Sequence, residues 1–473
     1  MTLLRAGARA LRRVAIAAGA ALLTLALFAP PASSRLADQA PACPTGIDGS
    51  ASAALRYVVV FDRGTSRRTA RQQIDRACGS QTEYYPEIAV AVATSADLGF
   101  RARIGTDRAF SAEATRLGDD AQPRRHVSRG TPDTADRTAE QWDMRMINAD
   151  RAQRDGARGQ GVVVGVLDSG IDDSHPDLAG AVDPELSAGC LDGSPDTRER
   201  AWRPTTSPHG THVAGIIAAA DDGSGITGVA PRARLASIKV VGKRGYTDPE
   251  SAVCGYMWAA RHRMTITNSS YLVAPWSLSC ASGDGVDVVR EAIGRAVDYA
   301  EERGTTNVAA ATNDAADLTL ATGSGDGCEA LPASLRPMIT VSSVGKDGLK
   351  AGYSSYGLGV ISLAAPGGGR GHCVLSTVPG GYRKLCGTSM AAPHVSGVLA
   401  LLAGKHPDAT PDRLRQRLTA NTAPLGCPAD YDLAGDGTQD AYCTGYRAYN
   451  GFYGNGMVDA LAALGGSHRA EKP

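Results

Sequence analysis

The chain has 473 residues, 43% of them hydrophobic and 21% charged, a globular composition long enough for more than one domain. Lys plus Arg and Asp plus Glu number 49 each, so the formal net charge is zero. That balance provides no global field for nucleic acid or an anionic membrane, and both are set aside as partners.

Arg5, Arg9, Arg12 and Arg13 precede the apolar run Val14–Phe28, which prolines and small residues follow. A basic head, a short apolar core and small residues form a secretory signal, expected over residues 1–34. A membrane anchor is the rival reading, but the run is shorter than the roughly 20 residues a spanning helix needs. No later run reaches that length. The mature protein is therefore expected outside the cell, released rather than anchored. Ten cysteines suit an exported, disulfide-bonded chain. Close spacing favours Cys373–Cys386 and Cys427–Cys443 as bridges, and the lack of any Cys-x-x-Cys pair argues against zinc.

Residues 56–61 (RYVVVF) read as a strand, 66–77 as a helix and 87–94 (EIAVAVAT) as another strand. Residues 35–117 thus hold a small α+β unit whose folded part spans about 56–117. The polar stretch 118–140, punctuated by Pro and Gly, is a linker open to proteolysis. In the larger unit, 141–473, strands are expected at 162–167, 235–241, 265–268, 307–311, 338–344 and 360–364, and helices at 248–263, 286–303 and 389–403. Strands that are apolar throughout are buried on both faces of a sheet. The fold class is therefore α/β, a doubly wound and mostly parallel sheet with helices on both faces. In such sheets, sites collect at the carboxyl ends of the strands.

Three segments place chemistry there. VVVGVLDSGID ends a strand at Asp168, SPHGTHVAG puts His209 before a small-residue helix, and LCGTSMAAPH puts Ser389 at the opening of another. A Ser, a His and an Asp so presented are the parts of a nucleophilic triad. Each has a plainer reading: Asp168 as a turn cap, Ser389 as an N-cap, His209 and His212 as a metal pair. The metal pair lacks the Glu of H-E-x-x-H, which weighs against a metalloprotease. The plainer readings do not account for all three segments together. Small residues beside the serine, Gly387 above all, let a substrate carbonyl approach the backbone and the helix start.

VLDSGIDDSHPDL, HGTHVAG and GTSMAAPHVSG, in the order Asp, His, Ser, resemble the subtilisin-like serine proteases, or subtilases. The likeness runs from Gln141 to about Leu464. It implies a secreted serine endopeptidase acting on polypeptides through an acyl-enzyme on Ser389, with Asp168, His209 and Ser389 as triad and no cofactor for catalysis. His212 and His394 fall at structural positions of the motifs. The strand ending AAATN matches the family's Ala-Ala-Gly-Asn, which makes Asn313 the oxyanion-hole donor and puts Thr312 where Gly is usual. A substrate strand is expected between residues 241–247 and 268–276, with Gly245, Tyr246, Ser270, Tyr271 and Leu272 as substrate-binding residues. Leu272 stands where the family usually has Gly. With Thr312 and the insertion bearing Trp276 and Cys280, it implies a narrower cleft. Asp177 and Asp222 fall where some relatives hold a structural calcium, with ordinary loop caps as the alternative. Residues 35–117 resemble the family's ferredoxin-like propeptide, which implies a self-processing zymogen inhibited by its own propeptide. An accessory binding domain is the alternative for that unit. The protein is expected to act as a monomer. The alternative for the whole chain is a catalytically narrow or inactive binding protein of the same fold.

Overall fold

A computed structural model describes residues 43, 54–116, 135–273, 285–319 and 329–466. The signal segment, residues 117–134 of the linker and the insertion bearing Trp276 and Cys280 lie outside the described residues.

In the small unit, β1 (Leu55–Val60), α1 (Arg67–Arg76), β2 (Ser80–Tyr85), β3 (Val90–Ser95) and β4 (Ala109–Phe110) follow one another. The strands form an antiparallel sheet in the order β2-β3-β1-β4. Ser66 starts α1 by accepting a hydrogen bond from the Thr69 N–H. Alternation along β1 sends Tyr57, Val59 and Phe61 into the unit's own core beside Ile74, Tyr84 and Phe100. Val58 and Val60 point the other way and, with Tyr85, Val90 and Val92, pack against the larger unit. Strand β2 was not expected: SQTEYY turns apolar only in its last two residues, the two that are buried. Cys43 and Cys78 are bridged, with Cα atoms 5.4 Å apart.

Helix α2 (Trp142–Met146) opens the larger unit. Strands β5 (Val163–Asp168), β6 (Ala188–Gly189), β7 (Arg234–Lys239), β8 (Ile266–Ser269), β9 (Thr306–Ala310), β10 (Ile339–Val344) and β11 (Leu363–Pro366) build its sheet. All pairings are parallel, in the order β11-β10-β9-β8-β5-β7-β6. The chain leaves β5 toward one edge and returns on its other side through β8, so a crevice opens at the carboxyl ends of β5 and β8. Helices α3 (His209–Ala218), α4 (Pro249–Arg261), α5 (Val286–Glu302) and α6 (Thr388–Lys405) cover the sheet. Val164 and Val166 face α3 and α6, whereas Leu167 faces the layer of α4 and α5, which is the two-sided burial expected of an apolar strand. An unexpected hairpin, β12 (Val374–Val378) and β13 (Gly381–Leu385), leads into α6. Cys190–Cys254, Cys373–Cys386 and Cys427–Cys443 are bridged, the last two as their spacing suggested. Among the described residues no helix is long and apolar enough to cross a membrane.

The small unit is seated on α4 and α5. Arg295 of α5 donates to the carbonyls of Phe61 (2.8 Å) and Ile88 (3.0 Å), capping two chain reversals of the small unit. The Tyr85 hydroxyl donates to the Gly193 carbonyl at 2.8 Å. A Cβ on Gly193 would stand 2.8 Å from Val92, so no larger residue fits beneath the small sheet there.

Candidate active site

Asp168 ends β5 fully buried, and one of its oxygens accepts from the Ser169 N–H at 2.6 Å. Both carboxylate oxygens lie 2.9 Å from Nδ1 of His209, the first residue of α3. The next residue explains the approach: a Cβ on Gly210 would come within 2.5 Å of the Gly170 carbonyl and 3.1 Å of Asp168 Cβ. With Nδ1 turned to a carboxylate, the imidazole carries its proton there and Nε2 is the basic nitrogen. Burial works against a charged ring, but the Asp168 carboxylate outweighs it and raises the His209 pKa above its usual value. His212, one turn along, is held differently. Its Nε2 donates to the Arg383 carbonyl at 2.9 Å, and burial pushes its pKa down to about 3, so it stays neutral as part of the core. His394 is fully buried between the Met390 carbonyl and Asp143 of α2, at 2.8 and 3.0 Å.

From Thr388 to Ala403 every residue of α6 except Ser389 is buried. Two features hold its first turn. The amide and hydroxyl of Thr388 both donate to Asn313 Oδ1, each at 2.9 Å. That occupies the carbonyl end of the carboxamide and leaves Nδ2 as the free donor. A Cβ on Gly387 would stand 3.4 Å from that nitrogen, so the absent side chain leaves room for a ligand oxygen. The second feature involves Pro393. Having no N–H, it leaves the Ser389 carbonyl without its helical partner, and the Ser270 hydroxyl donates to that carbonyl at 3.2 Å. Ser270 in turn accepts from Asn268, whose own oxygen accepts from Ser396 of α6. A proline four residues after the serine is the sequence signal that points to such an outside donor.

Thr312 adopts φ +78°, a left-handed conformation that a β-branched residue rarely takes and that glycine adopts freely. Its side chain is turned inward, hydroxyl to hydroxyl with Ser355 at 2.7 Å, so it braces the strand end behind Asn313. The expectation that Thr312 narrows the cleft is thereby corrected. Tyr271 also turns inward, buried among the residues around α4 and α5, and burial pushes its hydroxyl pKa well up. The Ser270 hydroxyl clamps α6, so what Ser270 and Tyr271 offer an extended peptide is their backbone. Leu272 is half-buried beside them. Gly245 sits at φ +86° in the turn that presents Tyr246, a half-exposed ring. The two segments flanking the expected substrate strand meet directly at Thr247 and Val273.

The residues proposed for calcium do not fit a cation. Asp177 is buried, with one oxygen accepting from the Tyr382 hydroxyl (2.9 Å) and the other from the Ile226 N–H (3.0 Å). Asp222 is exposed and caps Ser224. Among the described residues no group of three or more His, Cys, Asp or Glu side chains converges to hold a metal.

The profile of the Subtilase family matches residues 159–456, more than half of the chain. Subtilisin Savinase of Lederbergia lenta is 32% identical over 323 residues, covering 68% of this chain and 97% of that protein. Subtilisin DY of Bacillus licheniformis is 34% identical over 282 residues, 59% and 90% of the two chains. A solved Pseudoalteromonas arctica protease is 30% identical with a TM-score of 0.53, covering 71% of this chain and 99% of that one. The epidermin leader peptide processing serine protease of Staphylococcus aureus shares the fold at 22% identity and TM-score 0.62, over 89% and 99% of the two chains. The chain belongs to the subtilase family and is a subtilisin-like serine endopeptidase.

Proposed function

We propose that the protein is exported, made as a self-processing zymogen, and cleaves polypeptides through an acyl-enzyme on Ser389. The observation that carries this reading is the Asp168–His209 pair, with both contacts at 2.9 Å, together with Ser389 as the one residue between Thr388 and Ala403 that α6 leaves unburied. In the first half-reaction His209 Nε2 takes the Ser389 proton as Oγ attacks the scissile carbonyl. Asp168 keeps the ring in the right tautomer and stabilises the imidazolium. The developing oxyanion takes hydrogen bonds from Asn313 Nδ2 and a backbone N–H at the start of α6. The imidazolium then protonates the departing amine, and water repeats the sequence to release the acid. Residues 35–117 act as the propeptide, its described part held over α4 and α5 by Arg295 and an apolar face. Export is supported by the amino-terminal basic and apolar pattern and by the disulfides. Purified Ser389→Ala precursor tests the reading: it is expected to remain uncut and to cleave no peptide, whereas maturation in isolation would overturn self-processing.

A further inference from the structure

Two arginines of the small unit sit on carboxylates of the larger one. Arg56 donates to Glu250 (3.1 Å) and Asp192 (2.9 Å), and Arg116 donates to Asp248 at 2.5 Å. Arg116 is the last described residue before the linker, its side chain is only 7% exposed, and its guanidinium lies 5.7 Å from the centre of the Tyr246 ring. Asp248 immediately precedes α4, where an Asp ordinarily caps the helix by accepting from a first-turn N–H. This carboxylate makes no such bond and is turned to Arg116 instead. Two residues on, the second oxygen of buried Glu250 has no partner even with the small unit in place. Once Arg56 and Arg116 depart, Asp192, Asp248 and Glu250 lose their cations together, and the Asp248 carboxylate, which caps no N–H of its own helix, is left for another cation.

We infer that Tyr246 and Asp248 form a guanidinium-binding subsite of the mature protease, which seats an arginine side chain of a polypeptide substrate where the precursor seats Arg116. The inference rests on reading residues 35–117 as a propeptide and the segment around Tyr246 as part of the substrate cleft. A flat ring with a carboxylate beside it suits the planar, delocalised guanidinium better than a compact ammonium. Arginine is thus the preferred occupant, lysine second, and the isosteric but neutral citrulline poor.

The test scans arginine, lysine and citrulline through each position of an otherwise constant peptide, with mature wild-type enzyme and the variants Asp248→Asn and Asp248→Ser. Ratios of kcat/KM within one preparation are independent of the amount of active enzyme. In the wild type, one position is expected to favour arginine over citrulline by about tenfold or more, the scale of a charge-assisted hydrogen bond. In whichever variant matures, that ratio should fall to within about twofold, since the carboxylate supplies the discrimination. A wild type that cuts the arginine-free peptides without preferring arginine anywhere overturns the inference. So does a preference that survives loss of the Asp248 charge. A wild type that cuts no peptide at all overturns the cleft assignment itself, and the subsite with it.

Discussion

Thr388 controls which end of the Asn313 carboxamide faces a ligand, and that control can be measured. Both Thr388 donors go to Asn313 Oδ1 at 2.9 Å. Asn313→Ala removes the free Nδ2 donor, and kcat is expected to fall about 10²–10³-fold, the range found for the corresponding donor of a subtilisin. KM should change little, because the bond strengthens only as the oxyanion forms. Thr388→Val removes one of the two bonds that orient the carboxamide and keeps the backbone one. A neutral hydrogen bond is worth about 0.5–1.5 kcal/mol net, so kcat should fall about two- to thirteen-fold. In the Asn313→Ala background the Thr388→Val change should cost almost nothing further, because there is no carboxamide left to orient. The assay is kcat and KM on a chromogenic peptide, with active sites titrated for each variant. An additive double mutant, or Asn313→Ala with nearly normal kcat, would refute the reasoning.

The raised pKa of His209 shapes the pH profile. Catalysis needs neutral Nε2, so kcat should rise as pH increases through that value, and the acid limb should have its midpoint above about 6.5; a midpoint below it contradicts the Asp168 pairing. His394→Ala leaves Asp143 buried without its 3.0 Å partner, when its other oxygen already lacks one. The expected cost is about 2–3 kcal/mol, read as faster thermal inactivation, and an unchanged half-life would show the pair to be dispensable. Arg295→Ala removes the two bonds to Phe61 and Ile88 carbonyls, each worth about 1.5–3 kcal/mol for a charged donor. The lag before the processed precursor becomes active should shorten at least about tenfold, and an unaltered lag would mean the apolar face alone holds the small unit.

The apolar strands were legible because two-sided burial leaves nothing else for runs such as VVVGVL to do. Ser389 was legible from its place, a small hydroxyl at the opening of an apolar helix with glycine just before it. Asn313 showed as an abrupt polar break at a strand end. Strands β2 and β13 did not show, since their partly exposed residues carry no clear period, and β12, though buried throughout, is only five residues long with two hydroxyl residues in it. The contacts that tune the site were further from view. Thr388 meets Asn313 across 75 residues and Ser270 meets the Ser389 carbonyl across 119, pairings that only the folded sheet brings together. Thr312 was misjudged for the same reason, because a local sequence does not tell which way a strand-end side chain turns.

The central claim, that Ser389 is the nucleophile, is tested most directly by labelling the mature enzyme with a serine-directed fluorophosphonate and mapping the adduct by mass spectrometry. The account predicts a single adduct on Ser389, formed in proportion to the loss of peptide hydrolysis. A fully active enzyme bearing that adduct, or inactivation with the adduct on another residue, would contradict it.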